Sequence, residues 1–257
     1  MAAKSSSLAL KSRGSEMPEA PTFRFKGRTV ESWVLLAATV AYALLSCGGL
    51  LIVGQLPAAT ETGQEVVAWF RDNDVNVRWL VWMLTLAIPM LSIMVALLRR
   101  LLPPPHREVF IIGSISYLVA GEVMTWIWAG LALHPNGLRP PTARSLLDVA
   151  IFFGPALTGS TITMIGPVTL LGLYGSAGIP RWLTLLGAVA FVEQSVETIT
   201  IFGSTGFTQP GGAMNLQLGA ALTLAWLIAF GLWGGICGRA DGWANLDQNQ
   251  QSRMANP

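Results

Sequence analysis

Long apolar runs separated by short polar or proline-rich connections occupy most of the chain. Six runs stand out, at about Ser32–Val53, Trp79–Leu98, Val109–Leu131, Leu147–Leu173, Arg181–Ser204 and Ala213–Cys237. At 1.5 Å rise per residue, each is long enough as a helix for a hydrocarbon core of roughly 30 Å. The pattern predicts an all-α integral membrane bundle of six transmembrane helices forming one domain, residues 32–237. Residues 1–31 are polar and mixed, and predict a disordered basic cytoplasmic arm. Residues 238–257, rich in Asn and Gln, predict a disordered polar cytoplasmic tail. The first long run begins only at Ser32 and is full length, which predicts a retained signal anchor and not a cleaved leader.

The connections carry local signals. Thr62-Gly-Gln-Glu65 reads as a capping box that opens a short helix through Asn73. Its apolar Val66, Trp69 and Phe70 suit a helix lying on the membrane surface. Pro89 predicts a kink in the second span. The segment His134–Arg144 holds Pro135, Gly137, Pro140 and Pro141, and is expected to be non-helical. In the fourth span, Gly154-Pro155 and Gly166-Pro167 bracket Thr158, Gly159, Ser160, Thr161 and Thr163. Those pairs predict a broken or kinked helix, either structural or lining a cavity.

Composition supports the membrane reading. Hydrophobic residues make up 52% of the chain and charged residues only 12%, where a soluble domain carries about 25%. The formal net charge is +2, which gives no electrostatic case for nucleic-acid binding. With the N-terminus inside, the inner segments hold Lys4, Lys11, Arg13, Arg24, Lys26, Arg28, Arg99, Arg100, Arg107, Arg181, Arg239 and Arg253. The outer segments hold only Arg71, Arg78, Arg139 and Arg144. This bias predicts cytoplasmic termini in the cell inner (plasma) membrane.

Against this background the acids inside the apolar runs are conspicuous. Glu193 and Glu197 are four residues apart and share a helix face, with Gln194 and Thr198 beside it and Thr200 continuing it. A carboxylate at bilayer depth costs roughly 2.5–3.5 kcal/mol on insertion scales, so two on one face are expected to point into the protein. Helix rise puts Glu122 roughly 20 Å above Val109, and Glu193 and Glu197 roughly 18 and 24 Å above Arg181. The Thr158–Thr163 hydroxyls fall about 15 Å below Asp148, in the same slab. No Lys or Arg lies in that slab. Three ionised carboxylates cannot coexist there unpaired, so at least one is expected to keep its proton at pH 7.

The candidate site residues are therefore Glu122, Glu193, Glu197, Gln194, Thr198, Thr158 and Thr161. They support four readings: a cation or proton site for transport, a general acid for a lipid-phase substrate, a site for a basic or hydroxylated ligand, or a satisfied polar core that locks helix packing. The leading expectation is a non-enzymatic membrane protein that binds a small or lipophilic ligand, or protons, as a transporter or accessory subunit. The alternative is a lipid-phase acid–base enzyme of isomerase or cyclase type. In that reading Trp126 and Trp128 flank Glu122 and stabilise a carbocation, unless they form an outer aromatic belt. The expected partners are the lipid bilayer, a lipophilic small molecule and another membrane protein.

No metal site or cofactor is expected. A carboxylate-only site favours Mg, Ca or Mn over Zn or Cu. The two histidines, His106 and His134, fall in connections, and the two cysteines, Cys47 and Cys237, form no ligand motif. Their positions along the first and sixth spans put them about 20 Å or more apart, too far for a disulfide.

The run Gly178-Ile-Pro-Arg-Trp-Leu-Thr-Leu-Leu-Gly187 resembles the short inner loop of a broad group of small six-span bacterial integral membrane proteins of unassigned function. The likeness extends loosely over the six spans, and the Glu193/Glu197 pair and the Phe207–Asn215 turn look like features of a narrower subgroup. This resemblance implies a fold and no activity.

The charge bias generates a topological prediction. Reporter fusions at Thr60 and at the C-terminus are expected to give opposite signals; matching signals would mean that a span has been miscounted.

Overall fold

The computed structural model describes residues 24–25, 28–175 and 178–237. Most of the expected N-terminal arm and all of the expected C-terminal tail lie outside these residues. At the near edge of the arm, Arg24–Phe25 and Arg28–Thr29 pair as a two-residue antiparallel ladder. All other regular structure is helical, and six helices are long and apolar enough to cross a membrane. They are α1 (Val30–Val53), α2 (Gly63–Leu98), α3 (His106–Leu133), α4 (Pro140–Leu173), α5 (Arg181–Glu197) and α6 (Ala220–Cys237).

Two boundaries differ from the sequence expectation. The capping box is present: the Glu65 amide donates to Thr62 Oγ1 at 3.4 Å, and the Thr62 amide to Glu65 Oε2 at 2.6 Å. It opens α2 itself, however, and no separate surface helix exists. Val66 and Phe70 are fully buried, so tertiary packing carries the helix unbroken into the second span. The proline-rich segment after α3 is largely helical, with a 3₁₀ turn at Pro135–Gly137 and the start of α4 at Pro140. Pro140 and Pro141 sit in the first turn, where their missing amide hydrogens have no helical partner to lose. Pro155 and Pro167 both lie inside α4.

The helices form a ring. Each packs on its sequence neighbour, and α6 returns to α1. The outer faces are apolar, with Leu44 and Leu51 of α1, Ile112 of α3 and Leu185 and Val192 of α5 all exposed. An apolar exterior with polar groups collected inside is the arrangement a hydrocarbon solvent favours. Cys47 and Cys237 are free thiols.

Two apolar cores fill the ring toward its ends. In one, Leu98, Phe110, Leu183, Trp226 and Phe230 are fully or almost fully buried. In the other, Val66 and Phe70 of α2 pack against Trp128 and Leu131 of α3 and Leu147 of α4. Arg144 secures the latter end. Its guanidinium donates to the carbonyls of Ala58 and Glu61, at 3.3 and 2.8 Å, and pairs with Asp148. The α1–α2 connection is thereby held over the bundle.

Within the first of these cores, α3 and α4 approach closely at Gly113, beside Phe110 and Met164. A Cβ there would lie 2.4 Å from the backbone nitrogen of Met164 and 2.7 Å from the carbonyl carbon of Thr163. Backbone cannot step aside as a side chain does, so the helices must separate. Gly113→Ala is expected to destabilise the protein by about 1–3 kcal/mol, the usual range for overpacking. Thermal unfolding in detergent checks this; an unchanged midpoint would show that the crossing is looser.

Candidate functional site

The inward face of α5 carries the site. Glu193, Gln194 and Glu197 are all buried, as the four-residue spacing of the acids requires, while Val192, Ser195 and Val196 face outward. Just beyond Glu197 the chain tightens into a 3₁₀ turn, Thr198–Phe202. The Thr200 hydroxyl folds back and donates to the Glu197 carbonyl at 2.7 Å.

Glu197 is the centre of a hydrogen-bonded network and is only 2% exposed. Its Oε2 accepts from Gln194 Nε2 at 2.6 Å, and its Oε1 from Asn215 Nδ2 at 2.6 Å. The same Gln194 amide donates to Glu193 Oε2 at 2.9 Å, so one carboxamide bridges both acids. The Asn215 amide donates also to Thr200 Oγ1 at 3.1 Å. Each amide is oriented from behind: the Gly211 backbone amide donates to Asn215 Oδ1 at 3.0 Å, and the Thr161 hydroxyl donates to Gln194 Oε1. A backbone N–H can only donate, so it fixes which end of Asn215 faces the acid.

The partner wall comes from a π-helical turn, Met214–Gly219, that leads into α6. Met214, Asn215 and Gly219 are buried, whereas Leu216, Gln217 and Leu218 are exposed. Asn215 and Gly219, four residues apart, thus share the face turned toward α5. Gly219 is there because nothing larger fits. A Cβ would lie 2.0 Å from Glu197 Oε2 and 2.8 Å from Gln194 Nε2.

The network borders a central cavity of about 220 Å³. All six helices line it, with Tyr42 and Ser46 from α1, Leu84 from α2, Tyr117 and Trp128 from α3, Leu157 and Thr161 from α4, Gln194 and Glu197 from α5, and Thr223 from α6. Leu56 and Pro57 of the connection held by Arg144 line it too. Its walls are mainly apolar, with polar groups in two places: the Glu197 network, and Tyr42, which lies within hydrogen-bonding reach of Ser46 and Tyr117.

The structure thus joins Glu193, Gln194, Glu197 and Thr161 in one network. It does not bring the other candidates into it. Glu122 is partly buried, does not line the central cavity, and makes no hydrogen bond or ion pair among the described residues. Gly121 and Thr125 of α3 line an adjoining cavity, and Glu122 is turned about 100° from Gly121, toward exposed Val119, Val123 and Trp126. The depth estimate carried no information about that rotation. Thr158 is buried but donates locally to the Pro155 carbonyl at 2.7 Å, and Thr198 donates to the Ser195 carbonyl at 2.8 Å. The tryptophans beside Glu122 part company: Trp126 is 66% exposed, and Trp128 packs against Phe70 with centroids 5.5 Å apart. No cluster of His, Cys, Asp or Glu suited to a metal ion occurs among the described residues.

Asn215, Gly219 and Thr223 were not among the sequence candidates. An Asn near the start of an apolar run was a usable signal for the first. Nothing in the sequence marked Gly219 as the surface on which Glu197 lies.

Removing the Asn215 amide tests the network. Asn215→Leu leaves Glu197 Oε1 and Thr200 Oγ1 without that donor in a buried place, so a loss of about 1–3 kcal/mol is expected. Asn215→Asp puts an acceptor beside an acceptor, and is expected to be at least as harmful at neutral pH. Thermal unfolding across the pair reads the effect; an unaffected Asn215→Asp protein would show that Asn215 does not donate to Glu197.

No family model, curated protein or solved structure matches the chain, and the chemistry of the site is read from its own geometry.

Proposed function

We propose that the protein is a non-enzymatic, multi-pass membrane protein that holds one lipophilic small molecule in its central cavity, as a transporter or as an accessory subunit of a membrane complex. One observation carries the reading: a mainly apolar cavity of about 220 Å³ at the centre of the ring, bordered by a buried carboxylate. A small-molecule site combines apolar walls with a few placed polar groups, and this cavity has that composition. Arg144 supports the reading by tethering the connection whose Leu56 and Pro57 close over the cavity. The bilayer is the inner (plasma) membrane with both termini cytoplasmic, for which the distribution of Lys and Arg speaks. The Gly154-Pro155 pair bends α4 where Ile151, Gly154 and Leu157 border the cavity.

Two kinds of variant separate this function from a purely packing role. Leu157→Trp fills the cavity, and Glu197→Gln keeps the shape while removing the charge. Native mass spectrometry after mild detergent extraction is expected to show a bound small molecule on the wild type that Leu157→Trp loses. Glu197→Gln is expected to weaken retention while the thermal midpoint stays near that of the wild type. If no molecule co-purifies, and Glu197→Gln is silent while Glu197→Leu costs roughly 1–2 kcal/mol, the network only packs helices and the proposal fails.

A further inference from the structure

At the Glu197 end of the cavity the unused hydrogen-bonding capacity is that of an acceptor. A carboxamide nitrogen has two hydrogens. Those of Gln194 go to Glu193 and Glu197, and those of Asn215 go to Glu197 and Thr200. All four amide hydrogens are therefore spent within the protein. Glu197 is not spent. A carboxylate offers about four lone-pair sites, and the two amides occupy one on each oxygen.

A second, independent group points to the same occupant. The Thr223 hydroxyl lines the cavity, is 3% exposed, and has no hydrogen-bond partner among the described residues. It stands one turn of α6 beyond Gly219, the residue against which Glu197 lies. Buried hydroxyls rarely stay unpaired, so this one is suited to meet something in the cavity. None of the described residues lining the cavity is Lys, Arg or His. The cavity is thus bordered by a carboxylate with free acceptor sites, the Thr223 hydroxyl, aromatic rings at Trp128, Tyr42 and Tyr117, the hydroxyls of Ser46 and Thr161, and otherwise mainly apolar walls.

We infer that the cavity takes a protonated amine on an apolar body, its ammonium donating to Glu197 and Thr223 and its body lying among the leucine and aromatic side chains. This names the ligand class and rests on the cavity reading proposed above. An ammonium supplies only donors, which matches the open acceptor sites of Glu197, and its charge makes each hydrogen bond about twice as strong as a neutral one. A carboxylate or ester head would set acceptors against Glu197.

Three probes with the same eight-carbon scale decide the matter: octylamine, octanol and methyl octanoate, titrated by calorimetry against the full-length protein in lipid nanodiscs at neutral pH. Empty nanodiscs supply the partitioning baseline. Octylamine is expected to bind about tenfold or more tightly than octanol, and methyl octanoate most weakly. In Glu197→Gln the preference for octylamine over octanol is expected to disappear. Thr223→Val, which removes only the hydroxyl, is expected to weaken octylamine several-fold. Equal binding of the three probes to the wild type would overturn the amine assignment and leave the cavity reading standing. Methyl octanoate binding tightest would overturn it too, because Glu197 would then be presenting a proton. Binding of none would overturn both. The wild-type ranking decides without any variant, so a poorly folding Glu197→Gln protein does not rescue the inference.

Discussion

A carboxylate in the middle of an apolar bundle, with no cation beside it among the described residues, is the constraint around which this structure is arranged. Glu197 is 2% exposed, and its two visible donors are carboxamides. Unpaired, such a group costs far more than one interhelical hydrogen bond returns. Every feature of the local geometry reduces that cost. Gln194 is next to one acid and one turn from the other, so a single side chain reaches both. Asn215 comes from another helix and is aimed by a backbone amide. Gly219 yields the volume that the Glu197 carboxylate occupies.

That constraint also accounts for the division of the interior. Packing alone would join the two apolar cores, since both are built of Leu, Phe and Trp that interdigitate well. They are kept apart by the polar groups that meet between them. A carboxylate and its amides cannot be sealed against leucine on every side without losing hydrogen-bonding capacity. The space beside Glu197 is therefore a cavity instead of a third block of core. The ring order of the helices contributes to this, because all six of them reach the cavity wall.

Much of this was legible in the sequence, for identifiable reasons. Helix length and hydropathy depend on local composition, so six spans followed directly, as did the shared inward face of Glu193 and Glu197. What failed depended on relations between segments. The Thr62 capping box was recognisable, but whether its helix stopped at Asn73 depended on Val66 and Phe70 finding a core supplied by α3 and α4. Depth along a helix placed Glu122 level with the other acids, whereas its rotation placed it outside their network. Prolines at 140 and 141 looked like helix breakers until their position in the first turn was known. Gly219 was illegible for a different reason: a glycine shows why it is needed only when the atoms that a Cβ would displace are in view.

The two clearest departures from α-helical winding within α5 and the lead into α6 fall at the same place. α5 tightens into a 3₁₀ turn directly after Glu197, and the approach to α6 widens into a π turn that holds Asn215 and Gly219. Tightening brings the Thr200 hydroxyl onto the Glu197 carbonyl and within 3.1 Å of the Asn215 amide. In the widened turn Asn215 and Gly219 are buried toward α5, while the three residues between them are exposed. Neither irregularity is a favourable winding in isolation, since both have poorer hydrogen-bond geometry than the α-helix, and π turns recur at functional sites. Their convergence on one carboxylate shows where the fold gives up regular backbone to satisfy a side chain. A helix pair selected only for packing could have met the same volume with leucine and kept its regular winding.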